Sequence, residues 1–123
     1  VAPTVLWELG ADLVQIGVTP DGMNINAGCG ATSTKLLTET VLQHGADLGI
    51  SLDGDADRLI MVDEKGNVAS GDQLMAILAQ SMHQKGLLKH NTVVATQMSN
   101  LGFERFLNQK NVIALFLDAI LDT

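Results

Sequence analysis

The sequence is poor in several residue types, and each shortage excludes a class of protein. Among 123 residues there is a single cysteine, Cys29, so the chain has no internal disulfide and fits a reducing cytoplasm. No apolar run approaches the ~20 residues of a membrane span. Lysine and arginine number 7 against 14 acidic residues, and the net charge of −7 argues against nucleic acid or a membrane surface as a partner.

The most informative segment that is present is an acidic loop, Leu52-Asp53-Gly54-Asp55-Ala56-Asp57-Arg58, set between two short apolar runs. Carboxylates this close in sequence repel one another, and a divalent cation removes that cost. Alternate side chains of a straight strand stand roughly 6.5–7 Å apart, so the segment must turn for the carboxylates to reach one ion. Oxygen ligands favour a hard cation, first Mg²⁺ and then Ca²⁺ or Mn²⁺. The alternative is a solvated acidic turn that only joins two strands.

An EF-hand loop is the nearest rival motif. Counted from Asp53, Glu64 falls at the last ligand position of that motif. However, Arg58 occupies the sixth position, where the sharp turn of an EF-hand requires glycine. The flanking apolar runs are also too short for the two helices of an EF-hand. The pattern therefore favours a loop between two strands.

Three stretches resemble the α-D-phosphohexomutase superfamily. Ser51 to Leu74 resembles its metal-binding segment, which carries a D-G-D-[GA]-D-R loop. Thr19 to Thr32, TPDGMNINAGCGAT, resembles a run found in the bacterial phosphoglucosamine mutases, and this run favours that branch over its relatives. Val94 to Gly102 resembles the M-S-N-x-G segment that opens the third domain of the same enzymes. The resemblance covers the second domain and the start of the third, from Val1 to about Lys110.

The resemblance implies an enzyme that interconverts glucosamine 6-phosphate and glucosamine 1-phosphate through a phosphoserine and a bisphosphate intermediate. Such an isomerase belongs to carbohydrate metabolism and feeds cell-wall precursor synthesis, and a phosphosugar is its expected partner. By the same resemblance, Asp53, Asp55 and Asp57 hold a Mg²⁺ cofactor. Arg58 is the candidate catalytic residue because its guanidinium can pair bidentately with a phosphate; an equal alternative is a salt bridge that steadies the loop. Residues that bind the sugar are not identified.

The family's phosphoserine lies in a T-A-S-H-N-P-type loop, and no serine of this sequence stands in such a context. The chain alone is therefore expected to lack mutase activity. The competing hypothesis is a non-catalytic α/β module that binds a divalent cation and acts by itself.

Apolar periodicity predicts an α/β protein, and with the resemblance it predicts a three-layer α/β/α fold with a mixed sheet. The metal loop should join an antiparallel strand pair, 46–52 and 59–63. The other predicted strands are 12–18 and 92–97. The predicted helices are 3–10, 33–44, one opened by the Ser70–Gln73 capping box and ended near Gly86, and one capped by Ser99. Asn24 or Asn26 is expected to fix the shape of the glycine-rich loop at 19–31.

A composition break at Gly86–Asn91 predicts a domain boundary, with a metal-binding domain over 1–88 and the incomplete start of a second over 89–123. The chain begins with valine, which favours a piece of a longer protein. The strand that the family places before Val1 is missing, so an exposed sheet edge is expected to favour a homodimer. Beyond Lys110 the tail is expected to leave the family pattern.

Overall fold

The computed structural model describes residues 1–31 and 33–117. These residues form two compact units, the first ending at Val68 and the second beginning at Ala69. Both units combine helices with strands, so the predicted α/β class is confirmed. The described strands form two sheets, of three and two strands, with an antiparallel pair in the first and a parallel pair in the second. Within the described ranges, no helix is both long enough and apolar enough to cross a membrane.

The first unit is built around a β-hairpin. Its elements are α1 (Ala2–Glu8), α2 (Lys35–His44), β1 (Leu48–Leu52), β2 (Leu59–Asp63) and the beginning of β3 (Val68–Ala69). β1 and β2 pair antiparallel, from Leu48 opposite Asp63 to Leu52 opposite Leu59, and β2 lies between β1 and β3. The predicted antiparallel pair is therefore confirmed, and the acidic loop forms the tip of the hairpin.

Helix α2 packs closely on this hairpin. Leu37 and Val41, four residues apart on one helix face, are buried together with Val62 of β2. A Cβ on Gly49 would stand only 2.7 Å from a methyl group of Val41, so only glycine permits the close approach of α2 to β1. Gly45 ends the helix in the left-handed conformation, with φ 61° and ψ 35°. This packing fixes the strand from which the acidic loop departs.

The strand predicted over 12–18 is wrong, because residues 11–20 form no helix or strand. The segment has the apolar content of a strand, but a strand also needs a neighbour to satisfy its backbone N–H and C=O groups. No strand pairs with it within residues 1–31 and 33–117. Val14 and Val18 are accordingly about half exposed, whereas Ile16 packs against the core of α2 and β2.

The second unit contains a parallel strand pair joined by a helix. Its elements are α3 (Gly71–Gln84), a 3-10 turn (Lys89–Asn91), β4 (Thr92–Thr96), α4 (Leu101–Gln109) and β5 (Ile113–Leu117). The register runs from Thr92 opposite Ile113 to Thr96 opposite Leu117. Phe103 and Leu107 of α4 form its core with Ala79 of α3 and Val112.

The two helices of this unit begin at identifiable caps. The predicted capping box is confirmed, because the Ser70 hydroxyl accepts from the Gln73 N–H at 3.2 Å and the Gln73 side chain accepts from the Ser70 N–H at 2.8 Å. The prediction that Ser99 caps α4 is wrong. The cap is Asn100, whose Oδ1 accepts from the Phe103 N–H at 2.9 Å.

The division between the units falls between Val68 and Ala69, 20 residues before the domain boundary predicted between 88 and 89. Helix α3 therefore belongs with the second unit, where Ala79 packs against α4. The composition break marks the 3-10 turn between α3 and β4 instead. The extent of the domains in a longer protein stays a prediction, and the last six residues of the predicted tail lie outside the described residues.

Candidate metal centre

The acidic loop is a tight turn that folds back on its first aspartate. The Ala56 N–H donates to the Asp53 carbonyl at 3.1 Å, and Ala56 adopts a left-handed φ of 60°. The Arg58 N–H donates to Asp53 Oδ1 at 3.1 Å and closes the loop. Because the chain turns here instead of continuing as a strand, alternate side chains can converge. The predicted requirement for a turn is thus met.

Asp53, Asp55 and Asp57 each place a carboxylate oxygen within 4.8 Å of the others. The backbone N–H of Arg58 lowers the pKa of Asp53 below its ordinary value. The pKa of Asp57 is raised, first by its hydrogen bond to Asp53 and then by repulsion from Asp55 and Asp53. The crowding of negative charge that the sequence predicts is therefore present in the fold, and a cation would relieve it.

The three carboxylates fit a hard divalent cation by their chemistry and their spacing. Oxygens on one Mg²⁺ lie about 2.0–2.1 Å from the ion, and those on Ca²⁺ about 2.3–2.6 Å. Oxygens already within 4.8 Å of one another need only small side-chain rotations to share such an ion. The Asp53 side chain is 12% exposed and Asp57 is 68% exposed, so the site is half open to solvent and leaves room for further ligands.

Arg58 contacts the same carboxylates but holds them loosely. Its Nε lies 3.8 Å from Asp53 Oδ2 and 3.9 Å from Asp57 Oδ1, and its side chain is 75% exposed. Ion pairs this long and this exposed contribute little to stability. The arrangement agrees with the salt-bridge interpretation in the free chain, and the role of Arg58 toward a phosphate stays a prediction.

The glycine-rich loop at 19–31 packs directly on the acidic loop. A Cβ on Gly54 would overlap the side chain of Ile25, and the Asn26 amide lies next to it. A larger residue at position 54 would therefore push aside the Ile25 side chain, which is 71% exposed. Sequence reasoning missed Ile25 as a support of the candidate site, because contact between segments 29 residues apart leaves no local pattern.

Asn24 fixes the shape of that loop, as expected. Its Oδ1 accepts from the Asp21 N–H at 3.1 Å, and its Nδ2 donates to the Thr19 carbonyl at 2.8 Å. The Asp21 carboxylate in turn accepts from the Met23 N–H at 2.7 Å. These bonds occupy the polar groups of Asn24 within the loop, and they hold Ile25 where it meets Gly54.

Comparison with known proteins matches both units to one family. The model of phosphoglucomutase/phosphomannomutase, alpha/beta/alpha domain II, matches residues 1–66, and the model of domain III of the same family matches residues 70–116. The resemblance therefore runs past Lys110, where the sequence alone suggested that it ends.

Curated relatives agree with the family models. The phosphoglucosamine mutase of Ruegeria sp. (strain TM1040) is 59% identical over 111 residues, covering 90% of this chain and 25% of that protein. The phosphoglucosamine mutase of Sphingopyxis alaskensis is 63% identical over 106 residues, covering 86% of this chain and 24% of that protein. The chain thus spans about a quarter of the length of the relatives that it matches. By its sequence and its α/β units, the chain belongs to the phosphoglucomutase/phosphomannomutase family.

Proposed function

We propose that this chain supplies the Mg²⁺-binding loop of a phosphoglucosamine mutase, which interconverts glucosamine 6-phosphate and glucosamine 1-phosphate. The observation that carries the proposal is the convergence of Asp53, Asp55 and Asp57 within 4.8 Å at the tip of the hairpin. The relatives that cover most of this chain bear the name phosphoglucosamine mutase, which supports the choice of substrate.

The proposed roles follow from the chemistry of the loop. Asp53, Asp55 and Asp57 hold the ion, and the Arg58 N–H keeps Asp53 ionised by donating to its carboxylate at 3.1 Å. Bound Mg²⁺ supplies positive charge that stabilises a phosphoryl group during its transfer. The exposed Arg58 guanidinium binds a phosphate of the sugar. The serine that carries the phosphoryl group is supplied by another part of the enzyme.

Metal binding is tested by titrating the chain with Mg²⁺ in a calorimeter. Weak binding is expected, because three carboxylates leave two or three coordination positions to water. Asp55→Asn should abolish the binding heat. Asp47→Asn, which changes an exposed aspartate six residues before Asp53, should leave it unchanged. Equal binding heats from the two variants would contradict the assignment of the acidic loop as a Mg²⁺ site.

The enzymatic proposal is tested by a segment exchange. Residues 1–116 replace the matching quarter of the Ruegeria relative, and turnover of glucosamine 6-phosphate is measured with a bisphosphate activator. The exchanged enzyme should be active, and Asp55→Asn within it should be inactive. If the exchanged enzyme preferred glucose 6-phosphate to glucosamine 6-phosphate, the proposed substrate would be contradicted. Mg²⁺ binding without activity would instead favour a non-catalytic cation-binding module.

A further inference from the structure

Asn24, Ile25 and Asn26 are consecutive in the glycine-rich loop, and the fold accounts for the side chains of the first two. Asn24 forms hydrogen bonds inside the loop, and Ile25 contacts Gly54 of the acidic loop. The Asn26 side chain has no such task. Within the part of the chain that the structure describes, no hydrogen bond engages its carboxamide.

The carboxamide of Asn26 lies between the backbones of two glycines. A Cβ on Gly30 would stand 2.6 Å from Asn26 Oδ1, and a Cβ on Gly54 would stand 3.7 Å from Asn26 Nδ2. The missing side chains therefore leave the space that the carboxamide occupies. Because Gly54 directly follows Asp53, the Nδ2 end of Asn26 lies at the edge of the candidate metal centre.

Neither the backbone nor burial explains why this position carries a carboxamide. Asn26 has a left-handed φ of 57°, which asparagine tolerates better than most residues but which glycine adopts without strain. Its side chain is exposed, as are those of Asp55 and Asp57, so it fills no place in the core. The side chain is thus open to a ligand on the same exposed surface as two of the carboxylates.

A carboxamide suits the charge of this site. The phosphoryl group that is transferred is negatively charged, and it must approach an ion held by three carboxylates. Fixed hydrogen-bond donors at its oxygens stabilise that charge as the group moves. Asn26 Nδ2 carries two N–H donors and brings no negative charge of its own. It is therefore a donor that the metal centre can place beside a phosphoryl group without adding repulsion.

We propose that Asn26 is a catalytic residue whose Nδ2 donates a hydrogen bond to a non-bridging oxygen of the phosphoryl group transferred at the metal ion. This inference rests on the proposed mutase function. In that transfer the bond from phosphorus to the serine oxygen breaks as a bond to a sugar hydroxyl oxygen forms, and the hydroxyl proton ends on the serine. Asn26 keeps its own protons throughout and acts on the charge of the phosphoryl oxygens.

The experiment introduces Asn26→Gly into the exchanged enzyme that carries residues 1–116. Glycine retains the left-handed backbone, so the variant removes the carboxamide alone. Turnover of glucosamine 6-phosphate should show kcat lowered about 10- to 100-fold, the usual effect of losing one hydrogen bond to a charged group. KM should stay close to its original value, because the lost contact acts during transfer. Asn26→Asp, which replaces the donor with a negative charge, should lower kcat further.

Asn111 provides the matched control. It has nearly the same left-handed φ, 58°, but belongs to the second unit, outside the metal centre. Asn111→Gly should therefore leave both kcat and KM unchanged in the exchanged enzyme. An equal fall of kcat in both glycine variants would overturn the proposal, because it would trace the loss to the backbone change.

A purely structural role is distinguished by calorimetry on the 123-residue chain. Asn26→Gly should bind Mg²⁺ as tightly as the unchanged chain, since the carboxamide acts on the phosphoryl group. A fall in Mg²⁺ affinity that matches the fall in kcat would overturn the proposal and make Asn26 a support of the acidic loop. Full activity of Asn26→Gly would overturn this inference alone. Inactivity of the exchanged enzyme before any substitution would instead overturn the proposed function, and this inference with it.

Discussion

Gly54 links the acidic loop to the glycine-rich loop, and its substitution should disturb both. In Gly54→Ala the new methyl group overlaps Ile25. Because Ile25 is 71% exposed and can turn aside, the free energy of unfolding should fall by no more than about 1 kcal/mol, but the displaced contact should weaken Mg²⁺ binding. Urea unfolding and metal titration of the same protein measure both effects.

Gly71 provides the control for that change. A Cβ at Gly71 meets nothing within 4 Å, and its φ is not in the left-handed region. Gly71→Ala should therefore change the free energy of unfolding by less than about 0.5 kcal/mol and leave Mg²⁺ affinity intact. A similar loss of Mg²⁺ affinity in both variants would mean that contact with Ile25 does not account for the effect of Gly54→Ala.

Asp63 should make the stability of the chain depend on pH. The Asn67 side chain and backbone, together with the Lys65 N–H, donate to its carboxylate and lower the pKa of Asp63. A pKa that is lower in the folded chain adds stability above the ordinary aspartate pKa of about 3.9. This stability is lost as the pH falls through the folded pKa.

The contribution of Asp63 is isolated by comparing urea unfolding at pH 7 and pH 3 in two variants. Asp63→Asn should show a smaller fall in the free energy of unfolding than the unchanged chain, because this group no longer titrates. Asp47→Asn, which removes an exposed carboxylate, should keep the full fall. An unchanged fall in Asp63→Asn would show that other carboxylates set the pH dependence.

At the scale of the elements, the start of α4 is tied to the start of α3. Asp72 Oδ2 accepts from the Asn100 N–H at 3.0 Å and from Asn100 Nδ2 at 2.7 Å. Asn100→Ala removes both the cap of α4 and a bond to Asp72, so we expect a loss of about 1–2 kcal/mol in unfolding free energy. Urea unfolding of both single variants and the double variant with Asp72→Ala measures the coupling between these residues.

The cap of α3 serves as the comparison. Ser70→Ala removes one side-chain acceptor and should cost about 1 kcal/mol. Its effect should add to that of Asn100→Ala, since the two caps share no hydrogen bond. If the losses in unfolding free energy caused by Asp72→Ala and Asn100→Ala also simply add, the hydrogen bonds between these two residues contribute nothing to the stability of this unit.

The elements that the sequence predicts best are those with local signals. The spacing of Ser70 and Gln73 predicts the start of α3. The acidic loop is too short for a crossover helix, so the two runs that flank it are predicted to pair antiparallel. The segment 12–18 has an equally clear apolar pattern but forms no strand, because strand formation depends on a partner that its own sequence does not specify. Ser99 and Asn100 are both good caps, and only the backbone angles of the fold choose between them.

The candidate site shows the same difference between features with a local sequence signal and features that depend on distant segments. The three aspartates are visible in the sequence because the turn that unites them lies between them. The support that Ile25 gives to Gly54 depends on two loops that meet only in the folded unit. The homodimer that the sequence predicts through an exposed sheet edge stays a prediction.

At the scale of the whole molecule, the proposed activity requires more than the described site. Phosphoryl transfer depends on a donor held in line with its acceptor, and positioning supplies most of the rate enhancement. The described residues bring together three carboxylates and a guanidinium, and no serine stands in the sequence context of the family's phosphoserine. A metal loop that cannot hold a donor should not turn over substrate.

We therefore expect the isolated chain to show no mutase activity, even with saturating Mg²⁺. A coupled assay with glucosamine 6-phosphate and a bisphosphate activator measures this, with the Ruegeria relative as the positive control. The chain should still bind Mg²⁺ under the assay conditions, so that a lack of turnover cannot be attributed to a lack of bound metal. Turnover that Asp53→Ala abolishes would contradict the expectation, because contaminating enzyme would not respond to that substitution. It would show that the hairpin loop and its exposed guanidinium position both phosphates without a serine from elsewhere in the enzyme.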